Sequence, residues 1–314
     1  METQPYDVVI VGGGAAGLSA ALVLGRARRR VAVIDAGSPR NAPAAHMQGY
    51  LSRDGMPPAD LLAAGRAEAT GYGVEIIEDV VLRIAPGFTV RLGTGRMLSA
   101  RRILVATGVG DQLPDTPGVR DRWGNDLLHC PYCHGWEVRD QPLGVLGSNP
   151  GSILHAQLVR QWSDDIIYFT HSQEPSPAEA SQLDARGIRV VHGEVVRLVV
   201  EDDHLTGVEL ADGQIVPRAA VFVRPIPTPH PDNLLDALGC DLDEAGFAVR
   251  PHRAHQHRGC VGRRERRRPP RPGDHRRGRR LGRRHRHQRR PRPGGHRPRS
   301  PGRPVDAIQR YSAA

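Results

Sequence analysis

The chain contains no lysine, so all 44 of its basic residues are arginine. Cysteine is also scarce. Four in 314 residues are too few for a secreted scaffold stapled by disulfides. No apolar run reaches the ~18 residues that a membrane-crossing helix needs. The first residues show no basic start followed by an apolar stretch and a cleavage site, so no secretion signal is expected. These absences leave a soluble, cytoplasmic protein as the expectation, with no membrane partner. The length suggests two domains, each large enough for its own core.

Charge is unevenly spread. Residues 1–250 carry 22 arginines against 31 acids, a net −9. Residues 251–314 carry 22 arginines against three acids, a net +19. An ordinary acidic globular protein is joined to an arginine-rich tail.

What is present begins with a buried-strand pattern, Tyr6-Asp7-Val8-Val9-Ile10-Val11. Gly12-Gly13-Gly14-Ala15-Ala16-Gly17 follows at once, then a helix-forming run over 18–24, a strand over 31–34 and Asp35. Strand, GxGxxG, helix, strand and acid together make the dinucleotide-binding fingerprint. Gly12 permits the tight turn, Gly14 lets a pyrophosphate approach the backbone, and Gly17 lets the helix pack on the strand. The helix start supplies N–H donors for phosphate. Asp35 stands where a carboxylate accepts from ribose hydroxyls.

Residues 41–58 read as a long loop, and His46 and Gln48 are the members that could approach a ligand. A helix is expected over 58–70, and strands over 74–77, 80–84 and 102–105. The last of these enters Ala106-Thr107-Gly108, small enough for close backbone approach. Residues 114–124 read as a linker. A second strand–turn–helix–strand pattern follows over 143–146, 147–152, 153–162 and 166–169. Its turn carries Asn149 where the middle glycine would stand, and a side chain there crowds a pyrophosphate. Residues 190–200, 207–210 and 219–223 are expected to complete the sheet. Cys240 reads as a buried structural thiol.

Between the two nucleotide-type units lies Cys130-Pro131-Tyr132-Cys133-His134. Two cysteines so spaced can close and reopen a disulfide ring, and the setting lowers a thiol pKa from about 8.5 toward neutrality. His134 can carry a proton near neutral pH. Half of a zinc site is the competing reading, with His129 and His134 as further ligands. The context favours redox chemistry and no metal.

The fingerprint, the Ala106-Thr107-Gly108 strand end, the central Cys-x-x-Cys and the second βαβ unit occur in that order. This order resembles the low-molecular-weight thioredoxin reductase family of FAD-dependent flavoproteins, over about residues 6–250. The resemblance implies an α/β fold of two Rossmann-like nucleotide-binding domains, the second inserted into the first. Residues 1–114 would begin the FAD-binding domain, 115–244 would form the pyridine-nucleotide-like insert with the cysteines, and 245–314 would close the FAD domain. Gly12, Gly14, Ala15, Gly17, Asp35, His46, Ala106, Thr107 and Gly108 would hold FAD. Cys133 would face the flavin, Cys130 would exchange with substrate, and His134 would be the acid/base. The family usually has aspartate at that last position. Cys-x-x-Cys-His is more similar to the dithiol-oxidase branch. NADPH-using members carry basic residues after the insert's second strand, whereas 170–174 here is Thr-His-Ser-Gln-Glu. With Asn149, this argues against NADP(H) as second cofactor. A thioredoxin-like protein or a small dithiol would be the partner, and the assembly a homodimer.

Residues 251–314 have almost no apolar residue before Val305 and cannot bury a core. One reading is a nucleic-acid-binding tail on a redox protein. The favoured reading is a frame error, with no nucleic-acid partner. One base out of register, and with G- or C-rich third positions, residues 252–257 become Thr-Gly-Arg-Thr-Ser-Thr and 260–265 become Val-Trp-Ala-Ala-Gly-Asn. Those strings are similar to the family's closing FAD segment. The leading function is therefore thiol–disulfide exchange coupled to flavin. The flavin's other partner is NAD(P)H in a reductase or oxygen in an oxidase.

Overall fold

The computed structural model describes residues 4–230 and 233–249, and the arginine-rich stretch of 251–314 lies outside them. The chain opens with β1 (Val8–Val11), α1 (Ala15–Arg26), β2 (Val31–Asp35), α2 (Pro58–Thr70) and β3 (Glu75–Glu78). An antiparallel meander follows: β4 (Val81–Ala85), β5 (Thr89–Leu92) and β6 (Met97–Ser99). β7 (Ile103–Val105) then completes a parallel sheet of order β3-β2-β1-β7. β1 and β2 are nearly all apolar because both faces of a parallel sheet are covered. Alternation divides their side chains. Ile10, Val31 and Val33 pack with Ala21 of α1 and Ala69 of α2. Val9, Val11, Ala32 and Ile34 pack with Ile84, Val90, Leu92 and Leu98 of the meander.

The second half runs β8 (Gly110–Gln112), α3 (Val119–Arg122), β9 (Leu127–Leu128), α4 (Pro131–His134), β10 (Leu143–Leu146), α5 (Ser152–Val159), β11 (Ile166–Phe169), α6 (Pro177–Asp184) and β12 (Arg189–Val191). It continues with β13 (Val195–Glu201), β14 (His204–Leu210), β15 (Ile215–Pro217), β16 (Ala220–Val223), β17 (Ile226–Thr228) and α7 (Leu234–Ala237). A parallel sheet of order β12-β11-β10-β16-β9 is flanked by the antiparallel β13-β14-β15. The strands that enter and leave this lobe, β8 and β17, pair with each other as a two-stranded ribbon. The architecture is α/β, with two Rossmann-like units and the second set inside the first.

Several expectations shift. The run over 190–200 is two strands in two sheets, because Gly193 at φ +121° turns the chain between β12 and β13. β14 likewise joins the antiparallel sheet instead of the parallel one. The expected linker over 114–124 contains α3, anchored by buried Arg122. α1 starts at Ala15, earlier than the apolar run indicated, since small residues carry its first turn. Strands β5 and β6 and helix α6 had no expectation; α6 starts with a capping box between Ser176 and Glu179. Leu234 of α7 packs into the first lobe's core, although 115–244 had been assigned to the insert. Cys240 is half-buried, where a buried thiol was expected.

Candidate active site

The first fingerprint forms an open cradle where β1, β2 and β7 end. Gly12 sits at φ +106°, and a Cβ there would meet the Ala106 carbonyl oxygen at 2.5 Å. A Cβ on Gly17 would lie 1.9 Å from the Gly12 carbonyl oxygen, so only glycine lets α1 pack this close. A Cβ on Gly14 would meet nothing within 4 Å, which leaves free space over the helix start. No side chain caps α1 and its first turn has no acid, and Ala15 and Ala16 are exposed. The first N–H groups of a helix have no intrahelical partner. Here they open onto the free space above Gly14, at the positive dipole end of the helix. Asp35 accepts from the Gly13 N–H at 3.2 Å and pairs with Arg66 of α2. Thr107 and Gly108 continue β7 beside the turn, with Gly108 at φ +74°. These features fit the ADP half of FAD: Gly12, Gly14, Ala15 and Gly17 would face its pyrophosphate, and Asp35 its ribose. Arg66 had no sequence signal, because an exposed helix carries arginines routinely.

Cys130 and Cys133 form a disulfide across α4, with their Cα atoms 5.2 Å apart. Cys130 stands just before the first turn with Pro131 at its first position, a place proline favours. The Cys133 and His134 N–H groups both donate to the Cys130 carbonyl, at 3.0 and 3.1 Å. Gly135 allows the turn to sit against Trp162, since a Cβ would lie 2.7 Å from that ring. Both cysteines and His134 are half-buried. Burial pushes the His134 pKa below its ordinary value, against an upward pull from Glu137. Its imidazole is therefore neutral near pH 7 and able to take a proton. His46 does not join the glycine cradle. It lines a cavity of about 120 Å³ that also holds Gln48, Asn125, His134 and Glu137.

The second turn, over 147–152, is built differently. Ser152 Oγ accepts from the Ser148 and Asn149 N–H groups at 3.2 and 3.3 Å. Asn149 Oδ1 accepts from the Gly151 N–H at 3.0 Å, and Asn149 Nδ2 donates to the Arg224 carbonyl at 2.6 Å. The Arg224 guanidinium lies over Gly151, where a Cβ would come within 2.2 Å of it. Three N–H groups of this turn, those of Ser148, Asn149 and Gly151, are thus taken by its own side chains. Beyond β11, Thr170 Oγ1 accepts from the Gly193 N–H, and Glu174 pairs with His192 at 3.0 Å. Ser152 and Arg224 were missed by sequence reading.

So was His155. It is 5% exposed on α5, and its Nε2 lies 2.7 Å from the carbonyl oxygen of His129, the residue before Cys130. Its ring meets those of His129 and Phe222 edge-on, with centroids 5.8 and 6.0 Å apart. Burial lowers the His129 pKa, aided by Arg40.

The family model for pyridine nucleotide-disulphide oxidoreductases matches residues 6–254. A probable thioredoxin reductase of Arthroderma benhamiae is 36% identical over 58% of this chain and 47% of its own length. The chain therefore spans under half of that relative. Thioredoxin reductase aclD of Aspergillus oryzae is 35% identical over 64% of this chain and 72% of its own. Among solved structures, that of HlmI superposes with a TM-score of 0.75 at 57% identity, covering 79% of this chain and 80% of that one. The chain belongs to the pyridine nucleotide-disulphide oxidoreductase family, as a thioredoxin-reductase-like member whose resident cofactor is FAD.

Proposed function

We propose that this protein oxidises dithiols through the Cys130–Cys133 pair and hands the electrons to oxygen, without NADPH. The observation that carries this reading is the second turn, where Asn149 stands at the middle glycine position and the Ser148, Asn149 and Gly151 N–H groups are satisfied by the Ser152 and Asn149 side chains. The absence of a cation over 171–174 supports it, since a 2′-phosphate is gripped by paired basic groups.

Exchange at the pair needs only this chain and its substrate. One substrate thiolate attacks a sulfur of the disulfide, breaking the S–S bond and releasing the other cysteine as thiolate. The second substrate thiolate then attacks the mixed disulfide. The substrate leaves oxidised, and both cysteines are reduced. His134 takes a proton from the incoming thiol and returns it to a released cysteine. The chemistry that FAD supplies when bound is acceptance of two electrons from the reduced pair and their delivery to oxygen. The partner is a dithiol, either a small molecule or a thioredoxin-like protein. The insert is proposed to be bounded by the β8/β17 ribbon.

With FAD bound to the protein whose reading frame is restored after about Arg250, in air, dithiothreitol should start oxygen uptake, and NADPH should add nothing. Anaerobic flavin bleaching by NADPH faster than by the dithiol would sink this reading in favour of a reductase.

A further inference from the structure

His155 is an awkward core residue. Its Nδ1 is buried and has no hydrogen-bond partner. A buried acceptor left unpaired costs free energy that an apolar side chain of similar size avoids. What the ring gains is one hydrogen bond. Its Nε2 meets the His129 carbonyl at 2.7 Å, and a carbonyl can only accept. Nε2 therefore carries the proton and Nδ1 the lone pair. Burial also keeps the ring neutral, so it acts as a fixed donor.

The position of that bond is what matters. β9 ends at Leu128, and α4 begins at Pro131. His129 and Cys130 bridge the gap. On the far side the turn is pinned by Pro131, Gly135 and Trp162. On the near side the His155 bond ties the chain one residue before the reactive sulfur.

We propose that His155 is a positioning residue for the redox pair: its Nε2–H holds the His129 carbonyl and so keeps Cys130 in the closed geometry that the disulfide requires. The proposal rests on the dithiol-exchange reading. With the disulfide closed, the tie is fully used. With the sulfurs apart, the 129–130 segment can relax, so the tie favours the oxidised pair. One neutral hydrogen bond retained in one redox state and relaxed in the other changes the equilibrium about three- to tenfold.

The test is a titration of the Cys130/Cys133 pair in the full chain, in glutathione buffers, read by alkylation and mass spectrometry. His155→Leu removes the donor; His155→Gln keeps one at a similar reach. The leucine variant should shift the equilibrium toward the dithiol about three- to tenfold, and the glutamine variant should stay within about twofold of the parent. An unchanged leucine variant, or equal shifts in both, would overturn the proposal. A second measurement needs no substitution. ¹⁵N-histidine NMR of the oxidised parent should show a buried imidazole protonated at Nε2 and bare at Nδ1. The opposite tautomer would overturn the proposal even if the leucine variant fails to fold. If the parent pair does not titrate reversibly, the proposed function falls and the role of His155 falls with it.

Discussion

His155 should make the stability of the insert depend on pH over a defined window. Burial is the largest influence on its ring and holds its pKa at about 4. The hydrogen bond to the His129 carbonyl opposes burial, while the His129 and Arg224 charges push further down. No carboxylate acts on the ring. An unfolded histidine titrates near about 6.5. Between these values the unfolded chain holds a proton that the folded chain refuses. Stability therefore falls as pH falls through the window, and the contribution is complete above about pH 6.5. The gap corresponds to about 3 kcal/mol, an order-of-magnitude figure for a ring only 5% exposed. Tryptophan emission can follow it selectively, because all three tryptophans, Trp123, Trp136 and Trp162, lie in this lobe. Urea unfolding of the parent and of His155→Gln would be compared at about pH 7.5 and about pH 4.5. The other histidines and the carboxylates titrate in both proteins and cancel in the difference. Between these two pH values the parent should lose about 2.5 kcal/mol more than the variant. Parallel losses would refute the reasoning.

Arg122→Met should cost about 3–5 kcal/mol in urea unfolding, because buried Arg122 makes two hydrogen bonds to the mostly buried Asp126 carboxylate, at 2.8 and 2.7 Å. Asp203→Ala, on the same arginine, should cost under about 1 kcal/mol, since the Asp203 side chain is 94% exposed. Gly17→Ala should fail to give soluble protein, given a Cβ 1.9 Å from the Gly12 carbonyl oxygen. Gly14→Ala has open space around it; in the frame-restored protein it should fold like its parent by circular dichroism and bind FAD more weakly by flavin titration. The full chain should purify colourless or insoluble, because the arginine-rich stretch from about residue 251 replaces the family's closing FAD segment, and the family match ends at residue 254. Stoichiometric flavin with cooperative melting would refute that, and sequencing codons 248–255 tests the frame directly.

The sequence by itself determined what depends on neighbours along the chain. A tight turn before a helix demands glycine through local sterics, so the first cradle is visible in Gly12, Gly14 and Gly17. Apolar runs such as Val8–Val11 and Ile166–Phe169 declare strands buried on both faces. Two cysteines three positions apart allow a disulfide or half of a zinc site; the neighbouring nucleotide units favoured the disulfide, which the structure closes. Only the tertiary structure decided the pairings between distant residues. Arg66 reaches Asp35 across 31 positions, His155 reaches the His129 carbonyl across 26, and Arg224 covers a turn 73 positions away. Each of these residues looks ordinary in its own segment: an arginine on an exposed helix, a histidine on a short one, an arginine after a strand. Their roles come from which strand ends the parallel sheets bring together. That is set by cores assembled from the whole length of each lobe, and Leu234 shows it most plainly, returning to the first core after the second has been built.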